Sequence, residues 1–431
     1  MPNPQDPTTS VPNPPWWASG QQSQQQQRLI QQIQKIKPEF PAGGGIRVYP
    51  NDAQPAGMQF MYRERTLLTR TSNAPMVLQA LGLSPSAASV NPDLPDLTSI
   101  ALPNTPAFAN LEAVIDRVAQ DPNAGPGLAH PDHVIHITGT GGSCPATEPV
   151  PALQWSTPRP TRQNPAHPGT GAGVKVAVVD TGLLTGVANQ HTWLNDNKVY
   201  GGPEQGTVGH YQGHGTFVAG VIRGIAPDTE IQLEALLYRK GAMTEGQLVG
   251  DLAKALTWNP DIISVSAGTS TLDSGTALGF EVFHEKLVAE HPKTVVVAAA
   301  GNDGSGTEHF YPGSFGWAIG VGALNLDRTR AGYSNFGDSA DVFAFGTDLV
   351  NAYPTGNYTY QEAPLAGQHA NFQNGMAYWA GTSFSTPLVS GLIAAWMHGF
   401  NVDAKTAWQG LKAKADARTA QFGYPYLLPD D

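Results

Sequence analysis

Cysteine is almost absent from this chain. Cys144 stands alone among 431 residues, so no disulfide can form within the chain, and its Gly/Pro-rich setting gives it no role. Charge is scarce too, at 14% of residues, which excludes a coiled coil or a highly solvated helical bundle. Positive charge is the scarcer sign. A formal net charge of −11 makes nucleic acid and anionic membrane poor partners. Long apolar runs are missing: stretches such as Val295 to Ala300 fall far short of the roughly 20 residues that cross a bilayer. The first twenty residues carry no basic start and no apolar core, so no secretion signal is visible and a cytoplasmic location is expected. A trimmed signal or an unconventional export route would leave the same sequence. Glycine and proline are plentiful, at 48 and 36 residues. With 40% hydrophobic residues they describe a globular, loop-rich α/β protein with irregular margins.

The chain divides by composition. Residues 1–43 are Pro-rich and then Gln-rich and are expected to be a disordered arm. Within it, Leu29, Ile30, Ile33 and Ile36 have helical spacing, expected to give a weak helix that docks on nothing. Residues 44–139 read as a small α+β domain. Ile46 to Tyr49, Met58 to Leu68, Leu97 to Leu102 and Val134 to Ile137 have strand character. Asn73-Ala74-Pro75 opens one helix, and Leu111, Val114, Ile115 and Val118 mark another. The order β-β-α-β-α-β suits helices on one face of a mainly antiparallel sheet. His130, His133 and His136 recur every three residues, so on a strand they cannot converge on a metal; they are expected to be surface histidines. Residues 140–172 read as an exposed, extended, easily cut linker.

From 173 to 431 the pattern is α/β. Apolar runs at Val174 to Val179, Ile231 to Leu237, Ile262 to Val265, Thr294 to Ala300 and Ala318 to Val321 suit strands buried on both faces. Helical segments lie between them at His214 to Val221, Gln247 to Trp258 and Phe280 to Glu290. Thr244 and Gln247 form a capping box for the second of these. A C-terminal helix pair follows, after Ser383 and over Ala404 to Ala415. The fold class expected is an α/β parallel sheet covered by helices on both faces, preceded by the small α+β domain.

Four short words carry chemistry. Ser383, in Gly381-Thr382-Ser383-Phe384-Ser385-Thr386-Pro387, opens a buried helix, where N–H groups favour the negative charge of an acyl-transfer intermediate. Asp180, in Val178-Val179-Asp180-Thr181-Gly182, ends a buried strand, at the edge where α/β sites collect. His214, in Gly213-His214-Gly215-Thr216-Phe217-Val218-Ala219-Gly220, starts a helix; its glycines are read as room for a substrate backbone. Asn302, in Ala299-Ala300-Gly301-Asn302, follows a buried strand and offers an uncharged donor. Each alone has an ordinary structural explanation as a cap, a strand end or a turn. Together, in the order Asp, His, Asn, Ser, they form a nucleophile, its base, an orienting carboxylate and an oxyanion donor.

These words, with Ile225-Ala226-Pro227 behind the histidine, resemble the subtilisin-like serine proteases, the subtilase (peptidase S8) family, over about 174–400. The resemblance implies a serine endopeptidase in which Ser383 attacks, His214 is the base, Asp180 orients it, and Asn302 and the Ser383 N–H receive the oxyanion. It implies that Ser266, Ala267 and Gly268 pair with the substrate backbone, and that Ala299, Ala300 and Gly301 wall the pocket for the residue before the scissile bond. No cofactor is required. Calcium is common in the family as a structural ion, but no site is assignable here, Asn195-Asp196-Asn197 being a weak candidate. Phe384-Ser385-Thr386-Pro387 replaces the usual Met-Ala-Thr-Pro. Residues 351–379 look longer than in the family and are rich in aromatics (Tyr358, Tyr360, Phe372, Tyr378), forming either a lid or exosite, or a passive insertion. Residues 44–139 stand where subtilases carry a propeptide, with the linker as the cut site. The rival reading is a permanent recognition domain on which a partner protein docks. The expected substrate is a protein or peptide, of restricted range. A catalytically silent binding module of the same fold, or a peptide ligase or esterase using the same triad, remain the alternatives.

Overall fold

The computed structural model describes residues 22–40, 45–50, 58–137, 148–163, 169–194, 197–204, 211–235, 237, 241–272 and 275–431. A seven-stranded parallel sheet runs in the order Val342–Phe345, Ala318–Leu324, Val295–Ala299, Ile262–Val265, Lys175–Asp180, Glu230–Ala235, Val199–Gly201. Side chains alternate across each strand. Val176 and Val178 therefore enter one core with Phe217, Ile222, Leu388 and Leu392, from the helices His214–Ile225 and Thr382–Phe400. Ala177 and Val179 enter the opposite core with Leu248, Leu252, Phe280 and Phe283, from the helices Glu245–Ala255 and Leu278–Glu290. Burial on both faces is why these strands read as unbroken apolar runs.

The N-terminal sheet is antiparallel throughout. Phe60–Arg70 pairs with Ile46–Tyr49, Leu97–Ala101 and His130–His136, and Leu97–Ala101 pairs with Ala88–Val90. The sequence order had omitted Ala88–Val90, which is only three residues long. One face of the sheet packs on the helices Ala74–Leu81 and Leu111–Ala119 through Phe60, Leu67, Ile100, Val77 and Val114. From the same sheet, Leu68, Leu97 and Ile135 join the second core of the parallel sheet beside Leu248 and Phe280. Burying each such side chain is worth about 1.5–3 kcal/mol, against about 1 kcal/mol net for a typical hydrogen bond. Apolar packing therefore dominates the strength of docking, while polar contacts set its register. The sheet continues into the C-terminal half, since Ala242–Thr244 pairs with His130–His136.

Three expectations are corrected. Gln22–Ile36 is a helix that docks: Leu29, Ile33 and Ile36 are buried with Val48, Met61 and Ala242, and Gln32 donates to Glu362 at 3.1 Å. Its apolar stripe finds partners from two distant stretches that no local pattern reveals. The second half of the linker is docked on the body of the protein. Val150–Pro151 pairs with Met376–Trp379, and Arg159 exchanges both main-chain bonds with Val350. Glu148 is buried and accepts from the Tyr358 hydroxyl at 2.5 Å and the Glu362 N–H at 2.9 Å. Thr244 makes no side-chain cap, so the capping box does not form.

Candidate active site

Asp180 is the last residue of its strand and His214 the first of its helix. Their side chains are fully buried and meet, with His214 Nδ1 2.7 and 2.9 Å from the two carboxylate oxygens. A carboxylate only accepts, so Nδ1 carries the proton and Nε2 is left as the basic atom. Nε2 is buried and makes no hydrogen bond among the described residues. The glycines beside His214 serve the protein's own packing, not a substrate backbone. Gly213 has φ +83°, disfavoured for any side chain, and a Cβ on Gly215 would lie 2.6 Å from the Gly182 carbonyl. The strand end and the helix start thus touch backbone to backbone, which fixes the imidazole over the carboxylate.

Ser383 is the second residue of the helix Thr382–Phe400 and is fully buried. Its N–H lies in the first turn, where helical N–H groups have no intrahelical acceptor. Pro387 lacks the N–H that would bond the Ser383 carbonyl, and that carbonyl accepts the Ser266 hydroxyl instead, at 2.9 Å. Ser383 Oγ in turn donates to the Ser266 carbonyl at 3.3 Å. Asn302 Oδ1 accepts the Thr382 N–H at 2.8 Å, which ties the amide to the residue before Ser383. Trp379 and Phe384 flank the imidazole, with ring centroids at 5.3 and 5.0 Å. Sequence reasoning passed over Trp379. The neighbouring aromatics Tyr358, Tyr360 and Phe372 are buried in the main core, so they offer no open lid surface.

The edge segment is occupied by the chain itself. His136 exchanges two main-chain hydrogen bonds with Gly268, at 3.1 and 3.0 Å, and the Ile137 N–H donates to the Gly241 carbonyl at 2.9 Å. The end of the N-terminal sheet thus lies as a strand between Gly241–Thr244 and Ser266–Gly268. Ala267 is buried in the helix-side core. Ala299, Ala300 and Gly301 run behind Asn302, with the Ala300 N–H bonded to Val321 and the Gly301 carbonyl to Asn335.

Two of the three histidines of this strand are not on the surface. His133 and His136 are fully buried, and His133 Nδ1 lies 2.6 Å from Glu245, itself fully buried. The other Glu245 oxygen accepts the Gly279 N–H at 2.5 Å. Asp132 accepts the Gly246 N–H at 2.9 Å. The helices Glu245–Ala255 and Leu278–Glu290, neither capped by its preceding residue, therefore gain first-turn acceptors from Asp132 and Glu245. Burial raises the Asp132 carboxyl to about 6 despite the Gly246 bond.

Among the described residues no three His, Cys, Asp or Glu side chains form a group able to hold a metal. Asn195 and Asp196 lie outside those residues. No described helix is long and apolar enough to cross a membrane.

Fold and side-chain grouping define the class: an α/β protein whose buried His214–Asp180 pair packs against the start of the helix bearing Ser383, at the carboxyl edge of a parallel sheet. The subtilase family (Peptidase S8) matches residues 171–416, more than half of the chain. An intracellular serine protease from Paenibacillus polymyxa is 30% identical over 244 residues, covering 52% of this chain and 66% of that protein. Subtilisin DY from Bacillus licheniformis is 34% identical over 205 residues, covering 44% and 70%. The crystal structure of fervidolysin from Fervidobacterium pennivorans, a keratinolytic enzyme related to subtilisin, shares the fold. Its TM-score is 0.56 at 17% identity, over 86% of this chain and 60% of that one. The chain thus spans only part of each relative. It belongs to the subtilase family.

Proposed function

We propose that this protein is a serine endopeptidase held in check by its own N-terminal domain. The observation that carries the chemistry is the buried His214–Asp180 pair with Nε2 unpartnered, on the same helix-and-strand frame as Ser383 and Asn302. Ser383 Oγ adds to the scissile carbonyl while its proton passes to His214 Nε2. The oxyanion takes the Ser383 N–H and the Asn302 NH₂. His214 then protonates the leaving amine, and a water deprotonated by His214 releases the acyl group. Asp180 holds the tautomer and stabilises the imidazolium.

Control rests on the strand His130–His136 and the Ile137 that follows it, whose main-chain bonds to Gly268 and Gly241 use the groups an extended substrate would use. Substrate enters when that strand leaves, which restricts activity to chains that have been cut or displaced. The cut falls ahead of residue 148, because the chain beyond it is docked. Mass spectrometry of the wild type beside Ser383→Ala tests this. The expected result is cleavage shortly after residue 137 in the wild type only, with fluorophosphonate labelling at Ser383. A wild type that stays full length while hydrolysing peptides would sink the inhibitory reading. Absence of labelling after the N-terminal part is removed would sink the catalytic one.

A further inference from the structure

Ser266 and Gly268 share one face of their edge segment, because side chains alternate along an extended chain. On that face the Ser266 hydroxyl reaches Ser383. A Cβ on Gly268 would lie 2.4 Å from Cε1 of Phe310, and one on Gly301 would lie 2.9 Å from its Cγ. The Phe310 ring therefore fills the space between the substrate edge and the wall behind Asn302, and it is 2% exposed. Its backbone is tied in place. The Phe310 N–H donates to Ser314 Oγ at 2.8 Å, its carbonyl accepts the Ser314 N–H at 3.0 Å, and Tyr311 bridges Thr269 through two main-chain bonds.

The register of His136 on Gly268 dictates what meets this ring. An extended substrate that pairs antiparallel with Gly268 in the register of His136 would place its residue two positions further on opposite Ser266, whose carbonyl receives Ser383 Oγ. Residues opposite one another carry their side chains on the same face. In such a substrate the side chain just before the bond attacked by Ser383 would project onto Phe310.

We propose that Phe310 is the specificity-determining residue of this protease, closing the pocket so that only small side chains (Gly, Ala, Ser, Thr) are accepted before the scissile bond. The proposal rests on the catalytic reading above and names its substrate class. In the sequence the residue two beyond His136 is Thr138, followed by Gly139; both lie outside the described residues. The bond broken is then the Thr138–Gly139 amide: Thr138 passes to Ser383 as an ester and is released by water as a carboxylate, and Gly139 leaves as the amine.

The test uses the full chain with its own linker as substrate, read by intact mass. Wild type and Thr138→Ala are expected to be cut after residue 138, and Thr138→Phe at least about 100-fold more slowly. Phe310→Ala is expected to restore cutting of Thr138→Phe, raising the Phe-to-Ala rate ratio by about 100-fold. Cutting of Thr138→Phe after residue 138 at the wild-type rate would overturn the assignment, whether or not Phe310→Ala folds. So would a Phe310→Ala chain that labels at Ser383 with fluorophosphonate yet leaves the ratio unchanged. Failure of the wild type to label at Ser383 would overturn the catalytic reading along with this one.

Discussion

Two buried histidines in this protein have nearly the same first partner. His214 lies 2.7 Å from Asp180 and His133 lies 2.6 Å from Glu245, each pair fully buried and each Nε2 without a hydrogen bond among the described residues. What separates them is the third neighbour. His214 stands beside a helix start bearing Ser383 and an amide oriented by Thr382. Beside His133 the aromatic neighbour is Phe60, and the second oxygen of its partner ties down the Gly279 N–H. A His–carboxylate pair is thus not chemistry in itself. In the proposed mechanism one pair orients a base toward a nucleophile, whereas the other ties the N-terminal sheet to the helix Glu245–Ala255.

The sharpest way to break the comparison is to remove each imidazole. His214→Ala is expected to lower kcat/KM on a peptide substrate by about 10⁴–10⁶-fold with little change in the folded structure. A loss under tenfold would deny His214 the role of base. Asn302→Ala comes next, expected to cost about 10²–10³ in kcat with KM nearly unchanged, since the donor acts on charge that develops only in the transition state. An effect confined to KM would mean that Asn302 binds ground-state substrate instead.

The same comparison shows what was legible in the sequence. Asp180, His214, Asn302 and Ser383 could be read because each sits at the end of an element whose pattern is local: an apolar strand run or a Gly-flanked helix start. The parallel sheet was legible for the same reason. His133 was misread because its partner Glu245 lies 112 positions away, on a helix of the other half. The docked helix Gln22–Ile36 has the same history, its stripe being covered by Val48, Met61 and Ala242. Phe310 carried no signal either, since a phenylalanine before Tyr311-Pro312 looks like any loop aromatic until two glycines are found against its ring. Strand alternation could not say that both faces of the strand carrying His133 and His136 would be covered.

Removing the interface imidazole is expected to act on docking and to spare the chemistry. His133→Ala in a Ser383→Ala background leaves Glu245 with one buried oxygen unsatisfied, a cost of about 1–3 kcal/mol. The expected outcome is earlier proteolytic release of residues 58–137, followed by gel. Glu245→Gln should be milder, because an amide oxygen can still accept from Gly279. If His133→Ala leaves the release rate unchanged, the pair does not hold the domains together.

The smallest expected effect is a pH dependence of docking, centred on Asp132. Its carboxyl is held at about 6 by burial, which outweighs the Gly246 N–H bond; Glu245 pushes the same way, while Arg63 and His133 oppose it. A released Asp132 would titrate near the ordinary value of 3.8. Between about pH 4 and 6 the docked state therefore binds more protons than the released one, so docking is favoured below that window and weakens as pH rises through it. Above about 6 both states are ionised and this contribution is flat. Asp132→Asn should remove this loss of docking while keeping an oxygen for the Gly246 N–H. Release of the N-terminal part from the Ser383→Ala chain, measured at half-unit steps from pH 4 to 7 with and without Asp132→Asn, checks the sign. A wild-type profile that tightens as pH rises, or one that Asp132→Asn leaves unchanged, would assign the dependence to other groups.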